Sequence, residues 1–211
     1  LLFKLIRLSI LVLFLLLLKC ITYSQEISNK NTFLGDMIID YLKTKYPDEV
    51  FSNFIYVGIN RQRLYLFNDS KLTDLFEVST AEKGAGNNYS SNQTPFGLHY
   101  IKRKIGDNAP LGTLFVNKIN TGKRVPINKT IQNISKDEIT SRILVLSGKE
   151  EGINKGNNKD TFSRGIYIHG TSDEASIGNP KSHGCVRMRN KDIIEIYSLI
   201  DEGLLVVLLN N

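Results

Sequence analysis

Cys185, His169 and His183 fall within 17 residues of one another, and a glycine follows each histidine. A thiol with an ordinary pKa of ~8.5 is only a few per cent thiolate at neutral pH, so a nucleophilic cysteine needs a base. A histidine within hydrogen-bond reach can take the thiol proton and later return it to a leaving amine. Gly184 lets the backbone come close to a reacting carbonyl. The amides around Gly184 and Cys185 are candidate oxyanion donors, each worth about 3–4 kcal/mol where such donors have been measured. This set points to acyl transfer through a thioester. Both histidines are candidates for the base. His183, two residues before Cys185, would share its face on a strand. His169, 16 residues upstream at the end of another apolar run, would approach the thiol from a better angle. Cysteine and histidine also bind zinc, but H-x-C is tighter than usual ligand spacings. With no C-x-x-C or H-E-x-x-H in the chain, neither a metal nor a cofactor is expected.

The elements that must hold these residues read as short strands joined by turns. Phe54–Ile59, Leu64–Phe67 and Leu75–Ser79 are β-prone runs separated by turn residues, the pattern of antiparallel hairpins. Lys83–Gln93 is a loop rich in Gly, Asn and Ser, and Thr94–Gly97 is a tight turn leading into a strand over Leu98–Lys102. Residues 103–134 read mostly as loop, long enough to suggest a lid or substrate wall. Ser135 and Glu138 form a candidate capping box. Ile143–Leu146 and Ile166–Ile168 are strands, the second ending at His169. Gly148–Asp160 and Thr171–Lys181 are loops. Asn190 is expected to cap a helix with Ile193, Ile196, Tyr197 and Ile200 on its apolar face. Gly203 stops it, and Leu204–Leu209 is a buried strand. Nearer the N-terminus, weak amphipathicity around Leu34–Leu42 reads as a short helix ended by Pro47.

The net charge is +6, and three cations, Lys4, Arg7 and Lys19, lie in the first 24 residues, which leaves a body of about +3. There is no basic cluster interleaved with aromatics and no tryptophan, so nucleic acid is not an expected partner. Lys4 and Arg7 precede an apolar run from Leu8 to Leu18, too short to span a bilayer comfortably. Residues 1–24 therefore read as a signal peptide, with an uncleaved anchor as the alternative and the only expected membrane association. Either reading exports the body to the periplasm or cell envelope. Cleavage before Gln25 would remove Cys20 and leave Cys185 as a lone thiol, which suits a reactive cysteine. The expected organisation is 1–24 as signal or anchor, 25–52 as a helical arm and 53–209 as the catalytic domain.

The run Ser182–His183–Gly184–Cys185–Val186–Arg187, with His169–Gly170 upstream, resembles the signature of the L,D-transpeptidase (YkuD-type) catalytic domain. Gln62–Leu66 and Thr94–Gly97 also look like features of that family. The resemblance implies a mostly-β fold, a β-sandwich with a short helix after the cysteine loop and an N-terminal helical segment. It implies Cys185 as nucleophile, His169 as proton donor and acceptor, the Gly170 carbonyl orienting the imidazole, and His183 and Gly184 shaping the oxyanion site. It further implies peptidoglycan stem peptides as partners. The family's cysteine attacks the bond between the L-centre of diaminopimelate and the terminal D-alanine, and an amine resolves the thioester. If water resolves it, the same site is an L,D-carboxypeptidase; a non-catalytic wall-binding module is the alternative outside enzymes. The departure is Gly170, where some relatives carry Ser or Thr. Arg187 is a candidate for binding a substrate carboxylate, Ser182 for holding the loop or touching substrate, and Tyr167 for core or cleft lining. Arg164 reads as structural, and His99 as a surface or core histidine.

Overall fold

The computed structural model describes residues 16–19, 22, 30–130 and 138–211. Most of the expected N-terminal segment and Ser135 lie outside the described residues. The described chain forms two compact units. One holds the described residues before Asn53 together with Asp69–Leu72. In it, residues 30–45 form helix α1, longer than the short helix expected, with Ile38, Ile39 and Leu42 buried. Ser70 donates through its amide to the Ser52 carbonyl (2.9 Å) and through its hydroxyl to the Phe51 carbonyl (3.1 Å). Among the described residues no helix is long and apolar enough to cross a membrane.

The second unit, Asn53–Asn68 with Thr73–Asn211, is mostly β and carries every residue of the candidate site. Its strands are β1 (Phe54–Gly58), β2 (Arg63–Asn68), β3 (Lys71–Ser79), β4 (Gly97–Ile105), β5 (Thr113–Val116) and β6 (Ile119–Arg124). They continue as β7 (Ile139–Gly148), β8 (Tyr167–Thr171), β9 (Val186–Met188) and β10 (Leu205–Leu209), with helix α2 (Asn190–Leu199) before the last. The strand order is β4-β10-β1-β2-β3-β9-β8-β7, and β7 also pairs with β4. Hydrogen bonding therefore runs continuously around eight strands, and the layers of the expected sandwich are joined rather than separate. β5 and β6 branch from β7 as a hairpin.

Burial explains the order. Every residue of β1 is buried, as its unbroken apolar run Phe54–Val57 requires of a strand covered on both faces. It lies between antiparallel β2 and parallel β10. One cluster joins Ile55, Val57, Leu64, Leu66, Leu144, Leu146, Ile168, Val186, Met188, Val206 and Leu208 to Ile193, Ile196 and Tyr197 of α2. Each fully buried aliphatic contributes about 1.5–3 kcal/mol. The helix thus roofs the strands that carry the histidine and the cysteine.

Three expectations need correction. The strand ending at His169 runs on to Thr171, so His169 and Gly170 sit inside β8. Residues 103–130 hold more strand than expected: β4 reaches Ile105 and the β5–β6 hairpin follows. Its two-residue turn, Asn117–Lys118, has both φ positive (50° and 67°), the conformation that matches strand twist. Asn190 does not cap α2. It is the first helical residue, fully buried, and its side chain faces the sheet. Its amide nitrogen donates to the Thr171 carbonyl and to Glu174 Oε1 (both 2.8 Å), and its oxygen accepts from Thr140 Oγ1 (2.7 Å) and Ser141 Oγ (2.5 Å). Glu174 meanwhile accepts the backbone N–H of Asn190 (2.8 Å) and so supplies the negative charge at the helix N-terminus.

His99 belongs to the core: it is fully buried, with Nδ1 3.0 Å from the Gly97 carbonyl and Nε2 3.0 Å from Thr161 Oγ1. Burial first, and the Arg164 charge less strongly, push its pKa down to about 4, against the Gly97 hydrogen bond.

Two outcomes are expected. Asn190→Ala removes four side-chain hydrogen bonds and should lower unfolding free energy by about 2–4 kcal/mol in urea denaturation; a loss under about 1 kcal/mol would contradict the hub role. The unfolded chain protonates His99 below its ordinary pKa of 6.5, whereas the folded chain resists down to about 4. Stability should therefore fall as pH drops through that window, by about 3 kcal/mol in total, and His99→Gln should flatten that part of the pH–stability curve.

Candidate active site

β8 and β9 are parallel neighbours, with Ile168 beside Val186, His169 beside Arg187 and Gly170 beside Met188. Side chains alternate along a strand, so Tyr167, His169 and Arg187 share one face. Extending the register by one residue sets Cys185 next to Tyr167. The hydrogen bonds agree: the Tyr167 N–H points at Cys185 Sγ (3.4 Å), and the thiol points at the Gly165 carbonyl (3.6 Å). Cys185 is a half-buried thiol.

His169 is buried, and its Nδ1 lies 2.8 Å from the Gly170 carbonyl. A carbonyl can only accept, so Nδ1 carries the proton and Nε2 is the basic nitrogen of the neutral ring. Gly170 also has a steric reason to be glycine. A Cβ there would stand 2.6 Å from the Thr140 carbonyl and 2.9 Å from Asn190 Oδ1. This strand, paired with β7 and packed against α2, leaves no room for a Ser or Thr side chain.

The residues before Cys185 form a bend, not a strand, so His183 and Cys185 are not aligned as strand neighbours. His183 is exposed and lines a cavity of about 220 Å³ with Tyr89, Ser90, Asn92, Arg164 and Ile166. Ser182 is buried and holds the bend: its hydroxyl donates to the Cys185 carbonyl (2.6 Å) and accepts the Gly184 N–H (3.2 Å). That amide therefore faces Ser182. Gly184 has φ +133°, and a Cβ would meet Ile166 Cδ1 at 3.0 Å and the Gln93 carbonyl at 3.3 Å. Arg187 is only 3% exposed, and its Nη2 donates to the Lys181 carbonyl (3.0 Å), tying the strand to the loop before it.

Several residues that build the site were not read as functional. The N–H groups of Lys181 and Ser182 both donate to the Thr80 carbonyl (2.9 Å each). Thr80 is in turn gripped by Gln62, which accepts its N–H (2.8 Å) and donates to its hydroxyl (2.7 Å). Thr94 accepts the Ala81 N–H (2.9 Å), and Ala81 bridges Ser182. The Gln62 and Thr94 stretches noted in the sequence thus converge on the cysteine loop. Arg164, read as structural, donates to the carbonyls of Gly86 (2.9 Å) and Gln93 (2.5 Å) and to Ser91 Oγ (3.3 Å). Burial lowers its pKa, and the nearby Cys185 charge opposes that shift. Burial also raises the Tyr167 pKa, and Cys185 adds to it. Among the described residues no group of His, Cys, Asp and Glu could hold a metal ion.

The buried His169 thus sits inside β8, and the half-buried Cys185 immediately before its parallel neighbour β9. Residues 52–208 match the YkuD family, described as the L,D-transpeptidase catalytic domain, and the chain belongs to this family. Short stretches are similar to Bacillus subtilis (strain 168) proteins named as L,D-transpeptidases. YkuD is 56% identical over 36 residues, 17% of this chain and 22% of that protein. YqjB is 38% identical over 50 residues, 24% of this chain and 28% of that protein. These matches span under a third of the length of those relatives. Among solved structures, an Enterococcus faecium L,D-transpeptidase mutant aligns with a TM-score of 0.47 at 14% identity, over 76% of this chain and 50% of that one. LdtMt1 in complex with imipenem aligns at 0.45 and 13%, over 75% and 59%.

Gly170→Ala should cost about 1–3 kcal/mol in thermal or urea unfolding, because the new methyl group must displace strand backbone. A variant as stable as the wild type would contradict the packing argument.

Proposed function

We propose that this chain is a cysteine-dependent acyltransferase acting on peptidoglycan stem tetrapeptides. The observation that supports this reading is the β8–β9 register together with the Cys185 thiol against the Tyr167 amide, two residues along β8 from His169. The catalytic domain is residues 53–209. Residues 1–24 act as an export signal or anchor and 25–52 as an arm, so the enzyme works in the periplasm or cell envelope.

The chemistry follows from the residues. His169 Nε2 takes the Cys185 proton as sulfur attacks the carbonyl between the L-centre of diaminopimelate and D-alanine. The Gly184 amide is taken by Ser182, so Gly184 shapes the bend while the backbone N–H groups of His183 and Cys185 stabilise the oxyanion. The C–N bond breaks, His169 returns the proton to the departing D-alanine amine, and a thioester remains on Cys185. An amine of a second stem then attacks, His169 accepts its proton, and sulfur leaves as thiolate. Gly170 keeps the imidazole in the required tautomer. Ser182 and Arg187 act by holding the loop, and Tyr167 lines the donor side. If water is the acceptor, the same steps give an L,D-carboxypeptidase, and the products distinguish the two.

The test is D-alanine release from a stem tetrapeptide. Cys185→Ala should abolish release, and His169→Gln should reduce it about 10²–10⁴-fold. Release that persists in Cys185→Ala would overturn the reading. Chromatography of the products should show a cross-linked dimer for transfer or a free tripeptide for hydrolysis.

A further inference from the structure

Two backbone irregularities deliver two ammonium groups to one aromatic ring. The β4–β7 ladder shifts register between Ile101 and Arg103, which leaves Lys102 as the extra residue of a bulge. Bulges re-aim the side chain they carry and recur beside functional sites. Here Lys102 Nζ stands 3.8 Å from the centroid of the Phe162 ring. Lys118, on the left-handed second position of the β5–β6 turn, reaches the same ring at 5.7 Å. It also lies 5.8 Å from the ring of Tyr167, the residue whose amide points at Cys185 Sγ.

Like charges drawn to one ring repel each other, and an exposed cation–π contact returns only about 0.5–1 kcal/mol. A carboxylate between them would offset that repulsion, yet among the described residues Lys118 makes no ion pair. Asp160 interacts electrostatically with Lys102. Its carboxylate already accepts the N–H groups of Ser163 (2.7 Å) and Gly156 (3.1 Å). Phe162, 39% exposed, and half-buried Tyr167 supply an apolar floor. An apolar floor under two poorly compensated cations suits an organic anion, one whose carboxylate binds the ammonium groups while its carbon skeleton lies on the rings.

We propose that Lys102 and Lys118, over Phe162 and Tyr167, form a subsite for a carboxylate of the acyl donor and set its register on Cys185. This rests on the acyl-transfer reading for the identity of the donor, and the binding arm below does not depend on catalysis.

The experiment titrates the Cys185→Ser chain with a stem tetrapeptide as the free acid and with its carboxylates amidated one at a time. One amidated donor should bind more weakly than the free acid. Lys102→Met and Lys118→Met, which keep the apolar stem, should each weaken the free acid about fivefold, without weakening that amidated donor further. Lys118→Arg should restore affinity. Equal losses for the free acid and every amidated donor, or no loss with either methionine variant, would overturn the subsite. Carboxylate-dependent binding that passes these tests, in a chain whose wild type never releases D-alanine, would leave the subsite standing and remove the acyl-transfer reading instead.

Discussion

The whole site hangs on the buried peptide unit of Thr80. Its carbonyl accepts the N–H groups of Lys181 and Ser182, and its own N–H and hydroxyl are held by Gln62. No water can replace these partners in a fully buried position, so each orphaned group would cost about 1–3 kcal/mol. The bend that presents Cys185 therefore has one energetically acceptable place to be. Ser182 then closes the bend on itself through the Cys185 carbonyl and the Gly184 amide. From there β9 starts in register with β8, and the thiol meets the Tyr167 amide, two residues along β8 from His169.

The second anchor is Asn190, on the far side of the same two strands. It joins β7, β8 and the loop that carries Glu174 to the start of α2. Gly170 lies directly beneath it, which is why that position has no space for a side chain. The imidazole is thus oriented by a backbone carbonyl whose own position is fixed by strand pairing on both sides and a helix above. A catalytic geometry built this way depends little on side-chain conformations, which favours preorganisation.

Much of this was legible in the residue pattern, and the failures have physical causes. β1, β2 and β10 are apolar runs with turn residues at their ends, so pattern and burial agree. The strand carrying His169 looked shorter than it is because its apolar run stops at Ile168. Ladder bonds from β7 and β9 carry the strand on through polar residues to Thr171. The β5–β6 hairpin was invisible because every residue of β6 is exposed, so no alternation marks it, and its turn pairs Asn with Lys rather than with Gly. Asn190 looked like a helix cap because caps and buried amide hubs use the same residue type. The nucleophile and base candidates could be named from type and spacing. What could not be read was Thr80, whose importance lies in its backbone, and Lys118, whose placement depends on that unseen hairpin.

The central claim is that the Cys185 sulfur becomes the acyl carrier. Intact-protein mass spectrometry after mixing the chain with a stem tetrapeptide, followed by peptide mapping, tests it directly. The account predicts an adduct equal to the tetrapeptide minus D-alanine, on the peptide containing Cys185 and labile to hydroxylamine. A thiol that iodoacetamide still alkylates, in a chain that never gains that adduct, would contradict it.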